Sequence, residues 1–189
     1  MNRKSGQILL SCTLPLFVLA CGHDQPSPED KNQIDFRINN LAIQRGDRWV
    51  MTCRSLVEEY GESAVPFLIE ALGATDAQIR RGCAYCLGHI GHPDAVDPLR
   101  LRLGDPDLFV QLEAAASLTR FKVYEGVPLL ILALRHEKSQ LVRAAAYQTL
   151  EESFPEAITF DPAGEPAGRE AAVQRFEAWW NAHQKDYLD

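Results

Sequence analysis

A repeat of 31 residues in the middle of the 189-residue chain constrains the fold more than any other feature. Three successive segments, 64–72, 95–103 and 126–134, place apolar side chains in the same columns. The matching positions are Val65, Val96 and Val127, then Leu68, Leu99 and Leu130, then Leu72, Leu103 and Leu134. Agreement in several independent columns predicts a tandem array in which each unit packs against its neighbours.

Each unit has the pattern of a helical hairpin. The first apolar set has the i, i+3, i+7 spacing of one helix face, and a turn and a second helix follow. In the second helices the 31-residue register predicts buried columns at Ile79, Val110 and Leu141 and at Ala84, Ala115 and Ala146. Asp105 precedes Pro106, which is the pattern of an N-cap before the second helix of the middle unit. Because a single hairpin cannot bury its apolar face alone, the units are expected to stack.

The segments that flank the three repeats of 64–154 are predicted to close the array. Residues 34–63 carry a weaker version of the pattern and are interpreted as a degenerate N-terminal hairpin, since terminal repeats are usually atypical. Residues 155–189 begin with a proline-containing irregular loop and end in a Trp-rich helix. In that helix Val173, Phe176 and Trp180 form one apolar stripe, which predicts a capping helix.

The repeats resemble a known family in their detailed pattern. Residues 64–72 read AVPFLIEAL, and residues 79–91 read IRRGCAYCLGHIG. This pattern is similar to the short HEAT-like repeats named after the phycobilin lyases (PBS lyase-type HEAT repeats). The resemblance covers 64–154 and, more loosely, 34–63. It implies an all-α fold, a short α-solenoid of the HEAT and armadillo type, and a protein partner.

The first 20 residues are predicted to be a bacterial lipoprotein signal peptide. Arg3 and Lys4 precede an apolar run, and the sequence VLAC at 18–21 resembles a lipobox, in which cleavage precedes a cysteine that becomes lipidated. Cys21 is therefore the predicted lipidation site, with an ordinary signal peptide as the alternative. Residues 21–33 are interpreted as the lipidated cysteine and a flexible tether, because 22–33 contain no aliphatic side chain and no Phe, Tyr or Trp.

This interpretation predicts an exported protein that a lipid anchor holds at the cell envelope, on a periplasmic or outer-membrane face. The formal net charge is −7, and from residue 21 onward 17 basic residues stand against 26 acidic ones. A dedicated nucleic-acid-binding protein normally carries a basic stripe, so no nucleic-acid partner is expected.

Two motifs suggest chemistry, and both have a simpler interpretation. Cys83 and Cys86 form a CxxC motif, but it lies within a second helix, in columns that hold small residues elsewhere. Together with Cys53 they are predicted to be buried packing residues, with an oxidised pair as the alternative for an exported protein. His89 and His92 have a spacing that allows contact with one metal ion, but the only candidate carboxylate, Asp94, is better placed to cap the next helix, so no site is completed.

One enzyme of the resembled family, deoxyhypusine hydroxylase, binds two irons through His-Glu pairs on its second helices. The matching positions here hold no such pair; they are Gly82-Cys83, Glu113-Ala114 and Ala144-Ala145. No cofactor, no metal and no catalysis are therefore expected. One alternative is a metal-binding, ligand-binding or enzymatic HEAT-repeat protein, an oxidoreductase or lyase related to that enzyme or to the phycobilin lyases. The other is a purely structural envelope lipoprotein.

The predicted function is that of a protein-binding scaffold or adaptor. Arg80, Arg81 and Arg143 are predicted to form a basic strip on the second helices, which commonly line the concave side of a solenoid. Pairing of these arginines with nearby carboxylates is the alternative. Trp179 points away from Trp180 and is a candidate exposed anchor for the partner, although both indoles fit a capping core as well.

Overall fold

The computed structural model describes residues 26–154 and 158–188, and within these ranges the chain forms helices and no β-strand. The predicted signal peptide and Cys21 lie outside the described residues. The helices are α1 (Pro28–Asn40), α2 (Asp47–Ser55), α3 (Val65–Ala71), α4 (Ala77–Ile90), α5 (Val96–Arg102), α6 (Leu108–Arg120), α7 (Val127–Ala133), α8 (Gln140–Ser153), α9 (Pro166–His183) and α10 (Lys185–Leu188). Within the described ranges, no helix combines the length and the apolar character that crossing a membrane requires.

The repeats fold as stacked hairpins, which confirms the predicted all-α solenoid. The pairs α3–α4, α5–α6 and α7–α8 each pack as a hairpin, and the second helices pack side by side, α4 on α6 and α6 on α8. The repeated leucines Leu68, Leu99 and Leu130 of the first helices are buried, as the 31-residue register predicts. The second helices therefore form one continuous layer.

The N-terminal residues form a hairpin-like cap on α3 and α4. Ile34, Leu41, Cys53 and Leu56 are fully buried, and α2 continues into a π-helical turn over Leu56–Tyr60. Helix α1 begins at Pro28, because the Ser27 side chain caps it by accepting a hydrogen bond from the Asp30 amide. Residues 28–33, which the sequence analysis assigned to a flexible tether, are therefore exposed helical turns.

Helix α8 departs from the 31-residue register. The N-caps of α4, α6 and α8 are Asp76, Asp107 and Ser139, so the last interval is one residue longer than the first. As a result Val142 is 2% exposed and Leu141 is 81% exposed, the reverse of the prediction. The equivalent positions are Ile79, Val110 and Val142, then Cys83, Ala114 and Ala146, then Leu87, Leu118 and Leu150; all of them are buried except Ile79, which is partly buried.

This shift predicts that substitutions at two adjacent residues, Val142 and Leu141, change the free energy of unfolding by different amounts. Val142→Ala removes two buried methyl groups and is expected to lower the free energy of unfolding by about 2 kcal/mol. Leu141→Ala is the matched control and is expected to change it by less than about 0.5 kcal/mol, because that side chain is exposed. Urea denaturation of both variants measures the difference, and equal losses would contradict the shifted register.

Helices α4 and α6 approach each other closely at Gly88. A methyl group on Gly88 would lie 2.5 Å from Ser117 Cβ and 2.9 Å from Ser117 Cα. The Ser117 hydroxyl is fully buried and donates a 2.8 Å hydrogen bond to the Ala84 carbonyl oxygen of α4. Glycine at position 88 therefore lets the two backbones meet, and the serine fixes their register.

The C-terminal helix closes the array as the sequence predicts. Val173, Phe176 and Trp180 of α9 are buried against the last repeat. Arg135, which follows α7, forms ion pairs with Glu170 at 2.8 Å and with Glu177. The apolar stripe and these ion pairs together hold α9 on the end of the stack.

Candidate functional site: the groove of the second helices

Arg80, predicted for a partner surface, is a buried structural residue. Its guanidinium donates hydrogen bonds of 2.8 and 2.7 Å to the two carboxylate oxygens of Asp105. It also donates to the carbonyl oxygens of Ala74 and Thr75, in the turn before its own helix. Only 7% of Arg80 is exposed, so it contributes nothing to a basic surface strip.

Asp105 is the buried partner of Arg80 and not the N-cap that the sequence suggested. The N-cap of α6 is Asp107, whose carboxylate accepts hydrogen bonds from the Phe109 and Val110 amides. Burial acts to raise the pKa of Asp105, but hydrogen bonds from Arg80 and from the Asp107 amide outweigh it, and the pKa is lowered.

Arg143 is also structural, and it plays the same part as Arg80 in the third repeat. It is 6% exposed and donates to the carbonyl oxygens of His136 and Pro162. In the middle repeat Gln111 donates to the Asp105 carbonyl oxygen in the same way. Arg80, Gln111 and Arg143 therefore share one column, in which a long polar side chain binds the carbonyl groups of the preceding turn.

Trp179 lies half-buried in an aromatic cluster at the C-terminal end of the array. Its ring lies 5.2 Å from Phe154, 6.1 Å from Tyr187 and 5.0 Å from His183, measured between ring centroids. These contacts match the capping interpretation, so Trp179 is not the free anchor that the alternative required. Of the four residues predicted for a partner surface, only Arg81 faces the concave side.

The three cysteines pack in the core, and His89 and His92 contact nearby backbone groups. Cys53, Cys83 and Cys86 are free and fully buried, in agreement with the packing interpretation, and burial raises the pKa of the Cys83 thiol. His89 Nδ1 lies 2.8 Å from the Tyr85 carbonyl oxygen, whereas His92 Nδ1 accepts a hydrogen bond from the Asp94 amide. Across residues 26–154 and 158–188, no group of three or more potential ligands is arranged to hold a metal ion.

The concave side holds a groove of about 780 Å³ between the second helices. Each of α4, α6 and α8 presents one face to it, and Leu130 of α7 contributes to the floor. The groove residues from the second helices are Arg81, Tyr85 and His89 of α4, Phe109, Leu112, Glu113, Ala116 and Arg120 of α6, and Leu141, Val142, Ala145, Ala146, Gln148, Thr149 and Glu152 of α8.

The described part of the C-terminal loop, residues 158–165, does not cover this groove. Phe160 packs against Tyr147, and the Pro162 carbonyl oxygen accepts a hydrogen bond from Arg143, so these residues lie against another face of α8. None of residues 158–165 lines the groove.

Arg81 marks one wall of the groove and lies between two aromatic rings. Its guanidinium carbon lies 4.8 Å from the ring centroid of Trp49 and 5.6 Å from that of Phe109. Its Nε lies 3.5 Å from Glu113 Oε2. Stacking on both rings restrains the guanidinium while one third of the side chain stays exposed. Arg81 can therefore contact a bound partner without rearrangement.

Glu113 is the most deeply placed charged group of the groove. Its side chain is 14% exposed, and burial raises the pKa of the carboxyl above its ordinary value, while Arg81 and Arg120 act against that rise. Because Arg81 and Arg120 are both cationic, the charge of Glu113 is compensated from within the chain.

The raised pKa of Glu113 predicts a pH-dependent stability. The folded chain holds this proton at a higher pH than the unfolded chain does, so folding is favoured as the pH falls through that interval. We expect the free energy of unfolding of the wild type, relative to Glu113→Gln, to increase as the pH falls from neutral toward about 4.3. Urea denaturation of both proteins across this range measures it, and a constant difference would show that the pKa is not raised.

A family model described as HEAT repeats matches the chain over residues 50–110 and again over residues 65–151. The two matches overlap, and together they span 50–151, which is more than half of the chain. They include α3 to α7 and nearly all of α8, and so nearly all of the residues that line the groove. No curated protein matches the chain.

Proposed function

Because the chain belongs to the HEAT repeat family, we propose that it is a non-catalytic scaffold or adaptor that binds a protein partner in the groove of α4, α6 and α8. The observation that carries the proposal is the groove, whose three walls come from successive repeats. HEAT repeats commonly mediate protein–protein interaction, and stacked repeats create extended concave binding surfaces.

The shape and composition of the groove support binding of a partner segment. Small side chains, among them Ala116 and Ala145, line its centre, so the backbone of a partner can approach closely. Phe109 and Leu141 are 43% and 81% exposed at its edge, although they are large apolar residues. An exposed apolar edge beside a groove is typical of sites that bind an amphipathic helix or an extended peptide.

The proposal that the protein is non-catalytic rests on the side chains at the family's iron-ligand positions. The residues there are Gly82-Cys83, Glu113-Ala114 and, once the extra residue before α8 is counted, Ala145-Ala146 in place of the expected Ala144-Ala145; none of them supplies a His-Glu pair. Glu113 is instead paired with Arg81. This is the chemistry of a structural ion pair in a binding surface and supports the scaffold over the oxidoreductase or lyase alternative.

We further propose that a lipid on Cys21 tethers the array to the cell envelope after removal of the signal peptide. The support is the basic segment, the apolar run and the VLAC sequence at 18–21. Six residues, 22–27, separate Cys21 from α1. Even fully extended they span only about 20 Å, so the tether would hold the array close to the membrane surface.

Cross-linking in native membranes, followed by purification of the protein, tests the binding groove. The experiment compares the wild type with Ala145→Trp, which fills the groove from an exposed position, and with Ala171→Trp, an exposed control on α9. We expect a discrete cross-linked partner with the wild type and the control and its loss with Ala145→Trp. An unchanged set of partners with Ala145→Trp would overturn the groove as the binding site.

Membrane fractionation of Cys21→Ser tests the tether separately. We expect the wild type in the membrane fraction, with a mass that corresponds to a chain beginning at residue 21 plus acyl chains, and a variant that lacks the acyl mass. Wild-type protein without acyl chains would contradict lipid anchoring and would leave the groove proposal untouched.

A further inference from the structure

The two ends of the groove differ in chemistry. Near the N-terminal ends of α6 and α8 the lining is apolar, with Phe109 and Leu141 at equivalent positions of successive repeats and Leu112 beside them. Near the C-terminal ends of the second helices the equivalent positions hold His89, Arg120 and Glu152. A partner segment that lies along the second helices would therefore contact an apolar surface near their N-terminal ends and a polar surface near their C-terminal ends.

The polar end carries two exposed cationic side chains, Arg120 and Lys122, and one carboxylate, Glu152. There the groove continues into a second depression of about 260 Å³, which Arg120 and Lys122 both line. Both side chains are exposed, and within residues 26–154 and 158–188 no carboxylate lies within ion-pair distance of either. Glu152 also lines this end and already accepts a hydrogen bond from Gln148.

A basic partner fits this groove poorly. Glu113 is the only deeply placed carboxylate among the described lining residues, and it already has Arg81 at 3.5 Å. A lysine or arginine of a partner that approached Glu113 would meet Arg81 on one side and Arg120 on the other. The local charge therefore favours a carboxylate at the polar end.

We propose that the groove binds an amphipathic acidic segment of a partner protein, a refinement that rests on the function proposed above. Apolar side chains of the segment contact Phe109, Leu112 and Leu141, and its carboxylates pair with Arg120 and Lys122. The chain as a whole carries a net charge of −7, so an acidic segment is repelled elsewhere on the surface and attracted here. Such complementarity determines which segment binds and in which direction.

Selection from a random displayed-peptide library on the full-length chain in detergent micelles tests the proposal without a known partner. Enriched peptides are then synthesised and titrated against four proteins by fluorescence anisotropy. These are the wild type, Ala145→Trp, the double variant Arg120→Glu/Lys122→Glu, and a control double reversal, Lys138→Glu/Arg175→Glu, at exposed residues outside the groove. Thermal melting of each variant verifies that it folds.

We expect the enriched peptides to combine apolar and acidic residues. Their Kd should rise at least tenfold with Arg120→Glu/Lys122→Glu and stay within twofold with the control. Two results would overturn this inference and still leave the groove as a binding site. In the first, the peptides that Ala145→Trp blocks lack acidic residues. In the second, their Kd is unchanged by Arg120→Glu/Lys122→Glu. If Ala145→Trp blocks none of the peptides, both proposals are wrong.

Discussion

Arg80→Met is expected to lower the free energy of unfolding by about 3 kcal/mol, because it leaves the buried Asp105 carboxylate with only the more distant Arg102, at 3.6 Å, as a cationic partner. The side chains of Arg80 and Asp105 are 9% and 0% exposed, and two short hydrogen bonds join them. Arg80 also binds two carbonyl groups of the preceding turn, and the substitution leaves these without their donor. Urea denaturation monitored by far-UV circular dichroism measures the loss.

Arg81→Met is the matched control, since its side chain is one third exposed and its Glu113 contact is long; a loss below about 1 kcal/mol is expected. The pH dependence provides an independent readout. Because the pKa of Asp105 is lowered, the ion pair stabilises the fold fully at pH values above the range in which aspartate ordinarily titrates. This stabilisation is lost as the pH falls through the lowered pKa of Asp105. Equal losses for the two arginine variants at neutral pH would contradict the buried ion pair.

Gly88→Ala is expected to destabilise the chain by about 2–3 kcal/mol, although alanine is normally the better helix former. The added methyl group would overlap the Ser117 side chain and lie 2.9 Å from Ser117 Cα, so α4 and α6 must move apart. Differential scanning calorimetry of the variant and the wild type measures the loss.

Gly168→Ala tests whether the effect of Gly88→Ala comes from packing. Gly168 lies in the first turn of α9, and a methyl group there meets no atom within 4 Å. This control is expected to leave stability unchanged or to raise it by up to about 1 kcal/mol. A gain at both positions would show that α4 and α6 are not in close contact at Gly88.

The fold was predictable because the repeat constrains it at many positions. The first-helix leucines, the degenerate N-terminal hairpin and the α9 stripe all follow from apolar spacing. The extra residue before α8 was not predictable from spacing, because Leu141 and Val142 are adjacent and both apolar. Either could continue the apolar column, and only packing against α6 and α7 decides between them.

The candidate site was harder to predict, because the sequence does not distinguish a buried arginine from an exposed one. The partner of Arg80 lies 25 residues away, and the acceptors of Arg143 are backbone carbonyl groups, which leave no sequence pattern. A strict 31-residue register places Arg143 in the column of Arg81, whereas the extra residue before α8 places it in the column of Arg80. The i, i+4, i+8 spacing of Arg81, Tyr85 and His89 indicates the groove face of α4. The contacts of Arg81 with Trp49 and Phe109 could not be predicted from spacing, since they join three different hairpins.

The aromatic cluster at the end of the array fixes its length as well as its stability. Phe154 packs on Trp179, Trp180 and Tyr187, so the surface on which a further hairpin would stack is already covered. A gene duplication that lengthened this protein would therefore succeed only if the copied unit of 31 residues were inserted between existing repeats. Such an insertion would extend the groove by one helix and carry the aromatic cluster outward unchanged. The protein can therefore adapt to a longer partner by internal growth, and its C-terminal end is closed to further repeats.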